Sequence, residues 1–206
     1  MKKLLFAILA IGSVTTVSAQ SKTTFGISGG LNFAKIKASI SGSSTSASSG
    51  SLTSFSVGFF ADAPLGGNFS IQPGLYYTGK GGKTDFEAGP RKAKLTYLHL
   101  PLNVVYSVPI STGKFFFGAG PYAAYGLSAK IEIEGQATEK FKFGNDDNSD
   151  IKRTDFGATG LIGFNFTNGL LLKANYDLGL TNILPNNNGG HNMKNRVLGV
   201  SVGFAF

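Results

Sequence analysis

The sequence predicts an all-β fold: an eight-stranded antiparallel up-and-down transmembrane β-barrel preceded by a cleaved signal peptide. Three observations predict it. Hydrophobic residues recur with a period of two in one segment after another. The opposite phase of those segments holds small and polar residues in place of surface charges. The connections alternate strictly between long and short. Composition agrees, since 15% of the 206 residues are charged, against roughly 25% in an ordinary soluble domain. Glycine is abundant at 29 and phenylalanine at 18, while cysteine is absent. Without cysteine there is no disulfide framework, no thiolate metal site and no cysteine nucleophile. His99 and His191, the two histidines, are too few for a His-rich metal site. No cofactor is expected.

The first element is a targeting segment. Met1-Lys2-Lys3 forms a positive start, residues 4–14 an apolar run, and Val17-Ser18-Ala19 a small-x-small cleavage pattern. Residues 1–19 are therefore expected to be the signal peptide, cut between Ala19 and Gln20, and residues 20–206 the barrel. Loss of Lys2 and Lys3 lowers the formal charge from +8 to +6. The apolar run falls short of the ~20 residues a spanning helix needs. No later run is longer, so entry into a membrane requires a closed barrel that satisfies its own backbone.

Four segments carry the clearest alternation. Odd positions of 55–65 and even positions of 98–110, 170–180 and 198–206 are all apolar or aromatic, whereas the other phase holds residues such as Ser54, His99, Asn103, Lys173, Asn175, Asp177 and Ser201. Weaker versions occupy 25–33, 69–77, 115–133 and 156–166, which completes eight strands. A solvated face would be rich in Lys and Glu. Here it carries Gly26, Ser28, Gly30, Gly58, Gly118, Gly120, Gly199 and Gly203. Small residues suit the narrow interior of an eight-stranded barrel, so the bulky face points at lipid.

The joins 40–51, 79–93, 135–153 and 185–195 read as long and polar. Gly66-Gly67-Asn68, Ser111-Thr112-Gly113 and Asn168-Gly169 read as tight turns. Long outer loops and short periplasmic turns are the outer-membrane pattern, which places both termini in the periplasm. Phe69, Tyr106, Phe115, Phe117, Phe164, Phe166, Phe204 and Phe206 are expected to form a girdle at the short-turn end. Tyr77, Tyr125 and Phe156 are expected at the other end.

Several local phrases resemble the small β-barrel proteins of Gram-negative outer membranes known as porin family or PorT-like. They are Gln72-Pro73-Gly74-Leu75-Tyr76-Tyr77-x-x-Lys80-Gly81, Tyr97-Leu98-x-Leu100-Pro101-Leu102, Gly118-Ala119-Gly120-Pro121-Tyr122, Asp155-Phe156-Gly157 and the ending 199–206. The resemblance spans the mature chain and carries no catalytic motif. It implies that Val202, Phe204 and Phe206, on the aromatic-terminated last strand, are read by the barrel-assembly machinery. It also implies a place among accessory components of protein secretion.

Pro73, Pro101 and Pro121 fall inside strands, where each removes a ladder donor. A bulge or kink is the expected accommodation, a weak seam the alternative. Gly79-Lys80-Gly81-Gly82-Lys83-Thr84 superficially looks like a phosphate loop but lacks the first glycine and a following helix. The acidic stretch 145–150 lacks the central Gly and closing Glu of a calcium loop.

A polar plug is expected inside, built from Gln72, Tyr76, Tyr97, His99, Asn103, Tyr122, Asp155, Lys173, Asn175 and Asp177, with Lys130 and Glu132 further along. Basic residues concentrate in the outer half. Lys80, Lys83, Arg91, Lys92, Lys94, Lys152 and Arg153 are the expected contacts to lipopolysaccharide phosphates. The function expected is that of a non-enzymatic outer-membrane protein serving envelope integrity or surface interaction, not a general open pore. Alternatives are a lipid-modifying enzyme using His99 as general base and a soluble periplasmic ligand-binding barrel. Expected partners are outer-membrane lipid and lipopolysaccharide, the barrel-assembly machinery, and an unidentified extracellular or secretion partner. Nucleic acid is not expected of an exported chain, even at pI 9.6.

Overall fold

The structure, a computed structural model, describes residues 22–40, 46–86, 89–133, 138–144, 149–185 and 190–206. The expected signal segment with Ala19 and Gln20, and most of the acidic stretch 145–150, lie outside the described residues. Among the described residues there are ten strands: β1 Thr24–Ile40, β2 Ser46–Ser48, β3 Leu52–Gly66, β4 Phe69–Phe86, β5 Gly89–Ile110, β6 Gly113–Ile133, β7 Glu139–Phe141, β8 Thr154–Phe166, β9 Leu170–Gly179 and β10 His191–Ala205.

Eight of them close into a ring in the order β1, β3, β4, β5, β6, β8, β9, β10, each antiparallel to its neighbours. Closure runs from Gly26↔Ala205 to Ile40↔His191, so the last strand seals against the first. The short β2 and β7 fold back onto β1 and β6. Tight turns occur where expected. Gly67 and Gly169 adopt φ of +56° and +88° there, a region closed to most side chains.

One join differs from expectation. Residues 79–93 were expected to form a loop, but pairing continues from Gly79↔Thr96 to Phe86↔Gly89, leaving only 87–88 between the strands. The glycines that suggest a loop instead make room for a neighbouring segment. A Cβ on Gly79 would strike Ser54, and one on Gly82 would strike Ser49. Ser49 N–H donates to Ile36 O at 2.9 Å, and Lys83 N–H donates to Gly50 O at 3.0 Å. The first join is thereby tied into the ring.

The outer face of the longer strands is apolar only along part of their length. In β1 the outward series Phe25, Ile27, Leu31 and Phe33 gives way to Lys35 and Lys37. In β5 the outward Leu102, Leu100 and Leu98 give way to Thr96, Lys94 and Lys92, and in β10 Val202, Val200 and Leu198 give way to Arg196 and Lys194. The inner face changes in the opposite sense. Ser28 and Asn32 are followed by Ala34, Ile36 and Ala38, while Asn103 and His99 are followed by Tyr97, Leu95 and Ala93. Lipid outside demands apolar side chains there. Beyond the lipid the same strands bury their apolar face inward, as a soluble sheet does.

Aromatic rings mark the limits of the apolar belt. Phe69 packs on Tyr106 at 4.9 Å, Tyr106 on Phe117 at 5.6 Å, and Phe164 on Phe166 at 4.7 Å, all near the short turns. Phe55 stacks on Tyr77 at 5.8 Å toward the other limit. Tyr77 and Tyr125 both pair with Leu98 and so share its level.

Pro73, Pro101 and Pro121 do not create bulges. Pairing lapses beside each of them, at 61–62 against 72–73, at 74–75 against 100–101, and at 102–103 against 120–121. The register resumes unchanged after every gap, so the missing N–H only interrupts the ladder. Irregularities lie instead at Pro64/Gly66 and at Thr96/Tyr97. At the second, Leu127 has no opposite residue. The phase of β6 flips there, sending Ala129 inward and Lys130 outward. Lys130 is therefore exposed, contrary to the interior position that unbroken alternation predicts.

Candidate functional site

The barrel interior is built in layers. Nearest the short turns, Phe60, Val105, Phe116, Leu161, Leu171 and Ala205 form an apolar cluster. Glycines across the ring make space for the rings in the interior: a Cβ at Gly26 would strike Phe60, one at Gly163 would strike Phe116, and one at Gly157 would strike Tyr122. The interior is thus a pairing of large and small residues more than a uniformly small lining. These inward apolar side chains belong to the phase that sequence reasoning read as small and polar. Their alternation with glycine was the available signal.

Above that cluster lie the polar residues, and all ten expected plug residues point into the ring. Asp177 accepts hydrogen bonds from Thr159 Oγ1 at 2.8 Å and Asn175 Nδ2 at 3.2 Å, and it faces His99 Nε2 at 3.6 Å. Lys173 Nζ donates to the Tyr76 hydroxyl at 3.1 Å and sits over that ring. Gln72 and Asn103 are buried opposite one another in register. The void these side chains leave is about 40 Å³, room for roughly three waters.

The next layer centres on Asp155. Its Oδ2 accepts from Lys80 Nζ at 3.0 Å, Asn195 Nδ2 at 3.0 Å and the Tyr122 hydroxyl at 3.4 Å. Oδ1 accepts from Thr181 Oγ1 at 3.2 Å. The Lys80 ammonium also lies over the Tyr122 ring at 4.2 Å and the Tyr97 ring at 5.3 Å. Neither charged side chain reaches solvent. Burial of two charges is tolerated where the pair is close and its remaining valences are hydrogen-bonded.

Lys80 is accordingly a correction. Sequence reasoning placed it among the outer phosphate contacts, because it sits between glycines in an apparent loop. It is 1% exposed inside the barrel. Continuing the alternation of β4 two residues past Tyr76 and Thr78 would have put it on the inner face.

The other six basic candidates are divided. Lys83 and Lys92 pair across β4 and β5, Lys94 pairs with Lys130, and Lys130 with Lys140, which makes one basic strip on the outward face. Within it Lys94 binds the Glu132 carboxylate at 2.6 Å, which holds that carboxyl below its ordinary range. Arg91, exposed, borders the cavity at the loop end. Arg153 donates to Phe143 O at 2.6 Å and to the Tyr125 hydroxyl at 3.4 Å, tethering the segment after β7. Lys152 is half-buried and its N–H donates to Ile183 O at 2.7 Å.

Val202, Phe204 and Phe206 lie on the outer face at the seam, with Phe206 68% exposed. Phe206 N–H donates to Phe25 O at 2.8 Å and Phe25 N–H to Phe206 O at 3.2 Å, joining the two ends of the chain. Among the described residues no group of carboxylates and histidines is placed to hold a metal ion. In the acidic stretch, Asp150 accepts from Lys142 N–H at 2.9 Å.

A closed antiparallel ring with an apolar outer belt, aromatic girdles and a filled lumen defines a transmembrane β-barrel of the outer-membrane type. A soluble ligand-binding barrel, the alternative reading, would turn the belt residues inward. The chain belongs to the outer membrane protein beta-barrel domain family, whose pattern matches residues 18–184. It is an outer-membrane protein. No curated protein matches the chain significantly.

Among solved structures, it is similar to Ail, the attachment invasion locus protein of Yersinia pestis, at 12% identity over 90% of this chain and 100% of that one, with a TM-score of 0.46. Neisserial surface protein A is similar at 16% identity over 90% and 100%, with a TM-score of 0.46. The outer membrane protein OprG from Pseudomonas aeruginosa is similar at 15% identity over 89% and 95%, with a TM-score of 0.47.

Proposed function

We propose that the chain is a non-enzymatic integral outer-membrane protein that serves envelope integrity or surface interaction and does not conduct solutes as a general pore. The observation that carries this reading is the layered interior. An apolar cluster, a hydrogen-bonded polar layer and a buried ion pair stack along the lumen, and the void between them is about 40 Å³. Eight strands enclose little more than their own side chains.

In this reading the termini and short turns face the periplasm, as the even strand number and the turn lengths favour. The strip of Lys83, Lys92, Lys94 and Lys130 then meets lipopolysaccharide phosphates beyond the belt. The assembly machinery reads Val202, Phe204 and Phe206 after an export signal is removed at Ala19. His99 is enclosed between Asp177 and the Tyr122 ring, 4.6 Å away, with no space beside it for a lipid. Replacing His99 with Ala is therefore expected to leave the lipid A mass spectrum unchanged.

Planar-bilayer recording from the reconstituted chain tests the closed interior. No steady conductance is expected, and a stable open-pore conductance would overturn the reading. Membrane fractionation and gel migration test the barrel itself: the chain should follow the outer membrane and migrate differently after boiling.

A further inference from the structure

Above the buried ion pair, at the end away from the short turns, the apolar inner face encloses a cavity of about 440 Å³. Sites built for small ligands span roughly 300–1,000 Å³. Ile36, Leu95, Ile131, Phe141, Ile183 and Met193 supply its wall, so separate strands and the joins between them converge on it. Leu95 and Ile183 form part of the apolar cluster that includes Tyr97 and Tyr122, and this places the floor directly on the plug. Protein interiors ordinarily pack without voids of this size. The plug already closes the lumen, so the hollow is not needed for that purpose.

Few polar groups edge the cavity among the described residues. Arg91 is an exposed cation there, in the inward phase of β5, and Asp150 is a carboxylate that already accepts from Lys142 N–H. We propose that this chamber binds a single-chain amphiphile with an anionic head group, of the fatty-acid class. The chain lies among the apolar side chains, and the carboxylate pairs with Arg91 at the edge. Apolar walls with a few placed polar groups suit such a ligand, because burial supplies affinity and the cation fixes orientation. The site rests on the plugged-barrel reading, since a closed plug is what makes the chamber a blind pocket.

The test uses the full chain in bilayer nanodiscs, titrated with the fluorescent fatty acid cis-parinaric acid. Palmitate and monopalmitoyl glycerol, which share a chain but differ in head-group charge, serve as competitors. Saturable binding is expected, displaced by palmitate at least about tenfold better than by the glyceride. Ala93→Phe and, independently, Ala38→Phe fill the chamber with apolar atoms and should each weaken binding about tenfold. R91E should weaken palmitate alone.

Binding no greater than to empty nanodiscs, or equal binding by wild type and both filled variants, would overturn the chamber. Equal competition by the two lipids would overturn the anionic head group. Boiling-dependent migration and bilayer conductance are measured on the same samples. A wild-type chain that folds and stays closed without binding the probe defeats the chamber and leaves the barrel reading standing. An open conductance defeats the plugged-barrel reading.

Discussion

The two ends of this barrel obey opposite rules. In the belt between the aromatic girdles, apolar side chains face out, and above the apolar cluster near the short turns Gly, Ser, Asn and ionisable groups face in. Beyond Thr96 and Leu98 on β5, and beyond Phe33 on β1, charges face out and aliphatic groups face in. Both halves use the same strands and the same alternation, so backbone geometry does not decide the polarity. The solvent outside does. Lys80 and Asp155 lie near the level where the rule changes, since Lys80 pairs with Leu95, the first inward leucine above Tyr97. The plug therefore stands where the wall leaves lipid, with an apolar cluster below it and an apolar chamber above.

The largest effect should come from unpairing that plug. Asp155→Leu leaves the Lys80 ammonium buried without its carboxylate, and breaking such a pair costs about 3–5 kcal/mol. Urea unfolding of the chain in bilayers should show this loss. The double variant Lys80→Met/Asp155→Leu should recover most of it, because two apolar groups no longer need each other. A double variant as unstable as the single one would mean that the ion pair itself holds the layers together.

The next test moves one charge across the boundary. Val104 faces outward in the belt and is 50% exposed to it. Arginine there should cost about 2–4 kcal/mol, falling to about 0–1 near the interface. Thr96→Arg, outward on the same strand but beside Lys94, should fall at or below the lower figure. Equal losses in the same unfolding assay would mean that the apolar belt extends past Leu98, contrary to the polarity change seen in the side chains.

This boundary also explains what could be read from the sequence. Eight strands, three tight turns and the inward or outward sense of most residues were legible, because lipid and lumen impose a strict period of two. Reading stopped at Tyr77 on β4, where the outward residues cease to be apolar and Gly79, Gly81 and Gly82 mimic a loop. Lys80 was misplaced for that reason. Lys130 was misplaced by the irregularity at Leu127, which leaves no compositional mark. The inward Phe60, Phe116 and Leu171 were visible as exceptions within the small phase. Their meaning depended on which glycine faced them across the ring, and a single strand does not carry that information.

The smallest expected effect comes from the other lysine–carboxylate pair. Lys94 and Glu132 are closer than Lys80 and Asp155, at 2.6 Å against 3.0 Å, yet both are open to water. Water screens such pairs, and most contribute little. Glu132→Gln should leave the unfolding midpoint at neutral pH nearly unchanged. The sign of any residual effect follows from the lowered Glu132 carboxyl. A carboxyl that ionises more readily when folded stabilises the fold above the ordinary carboxylate range, and that contribution fades as pH falls through its folded value. Added salt should erase it while sparing the enclosed pair. If Glu132→Gln destabilised as much as Asp155→Leu, exposure would not be what separates the two ends of the barrel.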